Sequence, residues 1–109
     1  DVGCPWITQY DFWRELCYFR KYVGVSNAFA LHTATGRAAE VMGLGSVTGT
    51  IEVGKCADLI VTREDPLADL RALRSIDLVV ARGRRYDAPR VKHNALVTAE
   101  LDKFLPGND

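Results

Sequence analysis

A thirteen-residue stretch near the middle of the chain constrains the fold more than any other. It reads Gly-Thr-Ile-Glu-Val-Gly-Lys-Cys-Ala-Asp-Leu-Ile-Val at positions 49–61. Thr50, Ile51, Glu52 and Val53 alternate polar with apolar, the period of a strand with one buried face. Gly54, Lys55 and Cys56 interrupt the run, and a second β-rich run follows at residues 57–62. Two such runs across a short glycine-bearing break predict an antiparallel hairpin. An acid at Asp58, opening an otherwise apolar strand, is costly unless hydrogen-bonded. The expected role of its carboxylate is to hold backbone N–H groups of the turn.

The hairpin sits within a chain of 109 residues, room for one domain at most. Upstream, Phe12, Leu16, Phe19 and Val23 recur at helical intervals, with Trp13 and Cys17 widening the stripe. Arg14, Glu15, Tyr18 and Lys21 are expected on the opposite face. This predicts an amphipathic helix over residues 9–22, opened by a Thr8/Asp11 capping pattern and closed at Gly24. Ser26 is the expected cap of a second helix over residues 27–34, and Thr35 of a third that ends at Gly43 and Gly45. Downstream, Asp65-Pro66 marks a turn, and Leu67, Leu70 and Leu73 mark one or two helical turns. Residues 76–81 read as a strand buried on both faces, Arg82-Gly83-Arg84 as a turn, and residues 85–87 as a returning strand. A last helix is expected over residues 98–105. So small a sheet leaves free edges, and the aromatic stripe needs a partner surface; both suggest a chain built to pack against further protein.

Fourteen basic residues balance fourteen acidic ones, which gives no argument for nucleic acid or an anionic membrane surface. No apolar run spans a bilayer. Cys4, Cys17 and Cys56 are odd in number and form no C-x-x-C pair, a pattern fitting a reducing, cytoplasmic setting. His32 and His93 lack a second ligand at metal-binding spacing, and a structural or solvent-exposed role is the better reading of both. The same holds for the free cysteines as small buried hydrophobes, and for Ser26 and Ser46 outside any G-x-S-x-G context. The Gly43-x-Gly45 pair lacks the rest of a dinucleotide loop. Arg82, Arg84 and Arg85 beside Tyr86 read as a solvated turn before they read as a phosphate contact. The residues alone thus assemble no complete catalytic site.

The hairpin nevertheless resembles the C-terminal region of the amidohydrolase superfamily of metal-dependent hydrolases. Gly49, Ile51, Gly54, Lys55, Ala57, Asp58 and Leu59 match its Gly-x-Ile-x-x-Gly-Lys-x-Ala-Asp-Leu pattern in order. Asp65, Pro66 and Leu67 match the following turn. Val79, Val80 and Gly83 match the last strand pair, with Arg84 where lysine is usual. Upstream, Ala30-Leu31, Ala34-Thr35, Ala38-Ala39 and Gly43-Leu44 match an A-L-x-x-A-T and A-A-x-x-x-G-L helix. The resemblance covers residues 1–87 and leans toward imidazolonepropionase-like and Xaa-Pro-dipeptidase-like members.

That resemblance implies an α/β architecture: the end of a (β/α)8 metallo-hydrolase barrel plus the C-terminal strands of a composite β-sandwich. Residues 1–45 would be the last barrel loop and closing helices, 46–87 the sandwich strands, and 88–109 a tail with a short helix. It also gives Asp1 a role. Asp1-Val2-Gly3 matches the end of the eighth barrel strand, where the aspartate approaches or coordinates the metal and serves as general base and acid. A divalent metal, zinc above all, is implied in a longer parent and none in this chain alone, since the remaining ligands of the pattern lie upstream of Asp1. The chain opens on Asp rather than Met, which fits such a parent. The implied substrate is a small amide, a dipeptide or a cyclic amide, cleaved at its C–N bond. This chain alone is expected to be inactive, and either to self-associate or to pack with the missing N-terminal part. The alternative is a non-catalytic sandwich-and-helix module that completes a partner chain.

Overall fold

In a computed structural model, residues 2–107 are described. The first helix, α1, spans Phe12–Val23. It begins later than the sequence pattern suggests. Asp11 is its N-cap but makes no side-chain capping bond, because its carboxylate is engaged elsewhere. Gly24 closes it in the left-handed conformation (φ 80°), its N–H donating to the Arg20 carbonyl at 3.0 Å.

Ser26 caps the next helix as expected, its Oγ accepting from the Phe29 N–H at 3.1 Å. That helix does not break at Thr35. α2 (Asn27–His32) runs through a π-helical turn (Thr33–Arg37) directly into α3 (Ala38–Val41). Thr35 is no cap: its hydroxyl donates back to the Leu31 carbonyl at 2.7 Å, which leaves the helix uninterrupted.

The expected hairpin is not formed. Among the described residues, only the later part of its second run is a strand, β1 (Leu59–Thr62). Its partner is β2 (Ile76–Ala81), antiparallel with Leu59 opposite Val80 and Val61 opposite Leu78, and a bulge before Thr62. β3 (Arg84–Asp87) pairs antiparallel on the other side of β2, giving the order β1-β2-β3. Residues 50–53 are irregular instead and lead into a turn closed by the Lys55 N–H donating to the Glu52 carbonyl at 3.2 Å. Lys55 Nζ donates to Thr50 Oγ1 at 2.6 Å and pairs with Glu52 at 2.7 Å, gathering the polar side of the alternation. The apolar side, with Ile51 86% exposed, pairs with no strand among the described residues. β2 likewise is half-buried rather than buried on both faces.

Arg82 (φ 51°) and Gly83 (φ 78°) form a tight two-residue connection from β2 to β3 with both residues left-handed. A 3-10 turn at Leu70–Arg74, capped by Asp69 through the Arg71 N–H at 2.9 Å, precedes β2. The last helix, α4, spans Ala95–Asp102, three residues earlier than the apolar spacing suggests, because Asn94 caps it through the Leu96 and Val97 N–H groups. The core is small: Trp13, Leu16 and Cys17 of α1, Ala30 of α2 and Leu70, with Phe19, Leu31, Leu73 and Leu105 packed around it. No helix among the described residues is long and apolar enough to cross a membrane.

Candidate functional site

Asp1, the candidate for both catalysis and metal contact, lies outside the described residues. The loop that follows it is described. Gly3 (φ 93°) donates its N–H to the Ile7 carbonyl at 2.8 Å, and Ile7 donates to the Cys4 carbonyl at 3.2 Å. Ile7 is buried and anchors the loop. Between these bonds Trp6 adopts φ 79°, a left-handed conformation that costs a bulky residue about 1–3 kcal/mol. Its ring stands edge-on to Phe104 at 4.7 Å.

Directly behind the loop is a buried polar cluster. Arg14 is fully buried, which reverses its expected place on the polar face of α1. Its Nε donates to Asp11 Oδ2 at 3.1 Å and its Nη2 to Asp102 Oδ1 at 2.7 Å. The Trp13 indole N–H donates to Asp11 Oδ1 at 3.0 Å. Arg74 grips both oxygens of Asp102 at 2.8 Å, and its guanidinium lies 5.0 Å from the Trp13 ring centre. Burial acts to lower the Arg14 pKa, but hydrogen bonds to Asp102 and Asp11 outweigh it and the net shift is upward. Burial likewise acts to raise Asp102, and the two arginines hold it below the usual carboxylate range. The sequence pattern missed this cluster. Its signal was local: an aspartate and an arginine three apart at the head of a helix with a tryptophan between them.

The other candidates are dispersed. Asp58 binds across the fold rather than within its own turn: Oδ1 accepts from the Arg82 N–H and Oδ2 from the Thr48 hydroxyl, each at 2.8 Å. The Arg82 N–H and then Thr48 hold its pKa down. It therefore secures the left-handed β2–β3 turn. His32 is exposed and lines an open cleft of about 700 Å³ between the 27–41 helix and the 44–60 segment, with Thr35, Thr48, Thr50 and Asp58. His93 packs edge-on to Tyr10 at 4.6 Å. Burial pushes the Cys17 thiol up to about 11, and Cys56 is also raised, by burial and then by Asp58. Arg84 lies over Tyr86 and Arg85 pairs with Asp87 at 2.9 Å, so the basic turn is internally partnered. Among the described residues no group of three or more His, Cys, Asp or Glu side chains could hold a metal ion. The donor set of the implied metal is therefore not met by these residues, whichever role Asp1 has.

The described residues form a mixed helix-and-sheet fold and bring together no complete catalytic site. A model of the amidohydrolase family matches residues 7–86. The chain belongs to that family. Two solved structures are similar. One is described as a "putative prolidase from Bifidobacterium longum", 45% identical, with a TM-score of 0.89 over 94% of this chain. The other is a Xaa-Pro dipeptidase with bound methionine in its active site, 32% identical, with a TM-score of 0.66 over 69% of this chain. The chain spans 25% of the length of the first and 18% of the second. None of the curated proteins compared with the chain matches it.

Proposed function

We propose that this chain is the C-terminal part of a longer amidohydrolase that cleaves the C–N bond of a dipeptide with proline on the leaving side. The observation that carries this reading is the 0.89 TM-score at 45% identity over nearly the whole chain to the protein described as a "putative prolidase". The Xaa-Pro dipeptidase at 32% identity supports the same substrate class. On this reading residues 1–45 close a barrel, 46–87 complete a β-sandwich, and a divalent metal, zinc by preference, is approached or coordinated by Asp1 and otherwise held by residues outside this chain. The setting proposed is cytoplasmic.

Asp1 is the residue proposed to act. As water adds to the scissile carbonyl carbon, the Asp1 carboxylate takes one of its protons. It then delivers that proton to the departing nitrogen as the C–N bond breaks, releasing a carboxylic acid and free proline.

Substrate class is tested by assaying the longer enzyme against Xaa-Pro dipeptides, matched Xaa-Ala dipeptides and cyclic imides. Release of proline at a kcat/KM at least tenfold above the other substrates is expected. A preference for the cyclic imides overturns the dipeptide reading.

A further inference from the structure

We infer that the C-terminal segment 93–107 is a strap that sets the conformation of the loop after Asp1, with Phe104 and Asp102 as its two positioning residues. The inference rests on the role proposed for Asp1. It starts from an unusual backbone: Trp6 holds a left-handed φ of 79°, which costs a bulky residue free energy that contacts elsewhere must offset. The loop's own bonds, between Gly3, Cys4 and Ile7, flank Trp6 and do not fix its ring. The ring, itself half-exposed, meets the half-exposed ring of Phe104 edge-on at 4.7 Å and 70°, a contact that comes from outside the loop.

Phe104 is placed in turn by the end of α4. Two residues earlier, Asp102 takes Arg14 Nη2 at 2.7 Å and Arg74 Nη2 at 2.8 Å. Arg14 is fully buried and also bound to Asp11, so this anchor joins the strap to the first turn of α1. Leu101 is buried and Leu105 packs on the core cluster, which fixes the same end of α4. At the other end of the strap, the Asn94 N–H donates to the Tyr10 hydroxyl at 3.4 Å and His93 packs on the Tyr10 ring. The strap therefore touches the 6–14 segment at three successive points: Tyr10, Arg14 and Trp6. A segment some ninety residues away in sequence governs the few residues between Asp1 and α1. Displacing a reacting group by an ångström or so costs turnover more than it costs substrate binding.

The test uses the longer enzyme with three substitutions, each made singly: Phe104→Ala, Phe104→Tyr and Asp102→Asn. Phe104→Ala is expected to lower kcat by roughly tenfold or more with KM within about twofold, and to speed amide exchange of peptides covering residues 2–7. Phe104→Tyr, which keeps the ring edge, restores both. Asp102→Asn keeps the shape of the side chain, weakens the grip of the two arginines, and moves kcat and loop exchange in the same direction. If Phe104→Ala does not accumulate as folded protein, Asp102→Asn carries the same readouts. Wild-type kcat and loop exchange in Phe104→Ala, in an enzyme that Asp1→Asn inactivates, overturn the strap. Wild-type turnover in Asp1→Asn instead overturns the role of Asp1, and the catalytic half of this inference with it.

Discussion

At the scale of single residues, Arg14 decides most. It is a charged side chain with no exposure, neutralised by Asp11 and Asp102 and stacked 4.7 Å from the Trp13 ring centre. Removing one partner of a buried ion pair leaves the other charge stranded. Arg14→Ala is expected to cost about 3–5 kcal/mol in chemical denaturation, and a loss under 1 kcal/mol contradicts the arrangement described. Cys17 gives a second check. With its pKa pushed to about 11 by burial, its thiol is protonated at neutral pH and shielded within the core cluster. Exposed Cys4 is expected to react with a thiol reagent in the native state, and Cys17 only after unfolding. These roles were unevenly legible. That Asp58 would satisfy backbone N–H groups could be argued from desolvation cost alone. That the group would be Arg82, 24 positions away, could not, since nothing local selects it. Arg14 was misread because helical periodicity places a side chain on a face and says nothing of what packs over that face.

At the scale of elements, the features set by neighbouring residues were readable. Gly24 ends α1, Ser26 opens α2, and Arg82-Gly83 turns β2 into β3. The hairpin over residues 50–62 was not, because strand pairing is a choice among distant partners. β1 pairs with β2 and leaves residues 50–53 without a ladder. Gly49, immediately before that stretch, has a different function from the one a turn would give it. It adopts φ 97°, and a Cβ there would come within 2.5 Å of the Ala39 Cβ and 3.1 Å of the Thr35 carbonyl oxygen. The close approach lets the 44–60 segment lie on the helix at its π-turn. Gly49→Ala therefore combines backbone strain with a steric clash, and is expected to cost about 3 kcal/mol. Thermal unfolding of the variant measures it; a melting temperature equal to wild type contradicts the packing.

At the scale of the whole molecule, the sheet has three strands and two edges, and Ile51, Val41 and Met42 are largely exposed. Free edges and exposed apolar side chains of this kind favour association. The chain alone is expected to self-associate, and multi-angle light scattering at rising concentration reads this directly; a monodisperse monomer throughout contradicts it. The family was legible in the sequence because its pattern is a set of spaced turn and packing residues carried within these 109 positions. The site was less so. Asp1 lies outside the described residues, and no metal-binding cluster occurs among those described. What the fold adds is the support behind the loop, which no spacing rule announced.

Asp1 is proposed to supply one proton-handling carboxylate to an active site completed by further sequence. The most direct test compares proline release from a Xaa-Pro dipeptide by three proteins in the presence of Zn²⁺: the chain alone, the longer enzyme, and the longer enzyme carrying Asp1→Asn. No turnover above a metal-only control is predicted for the chain alone. The longer enzyme is predicted to turn over, and Asp1→Asn to lower its kcat by about 10³-fold. Turnover by the chain alone, or wild-type kcat in the Asp1→Asn enzyme, would contradict the account.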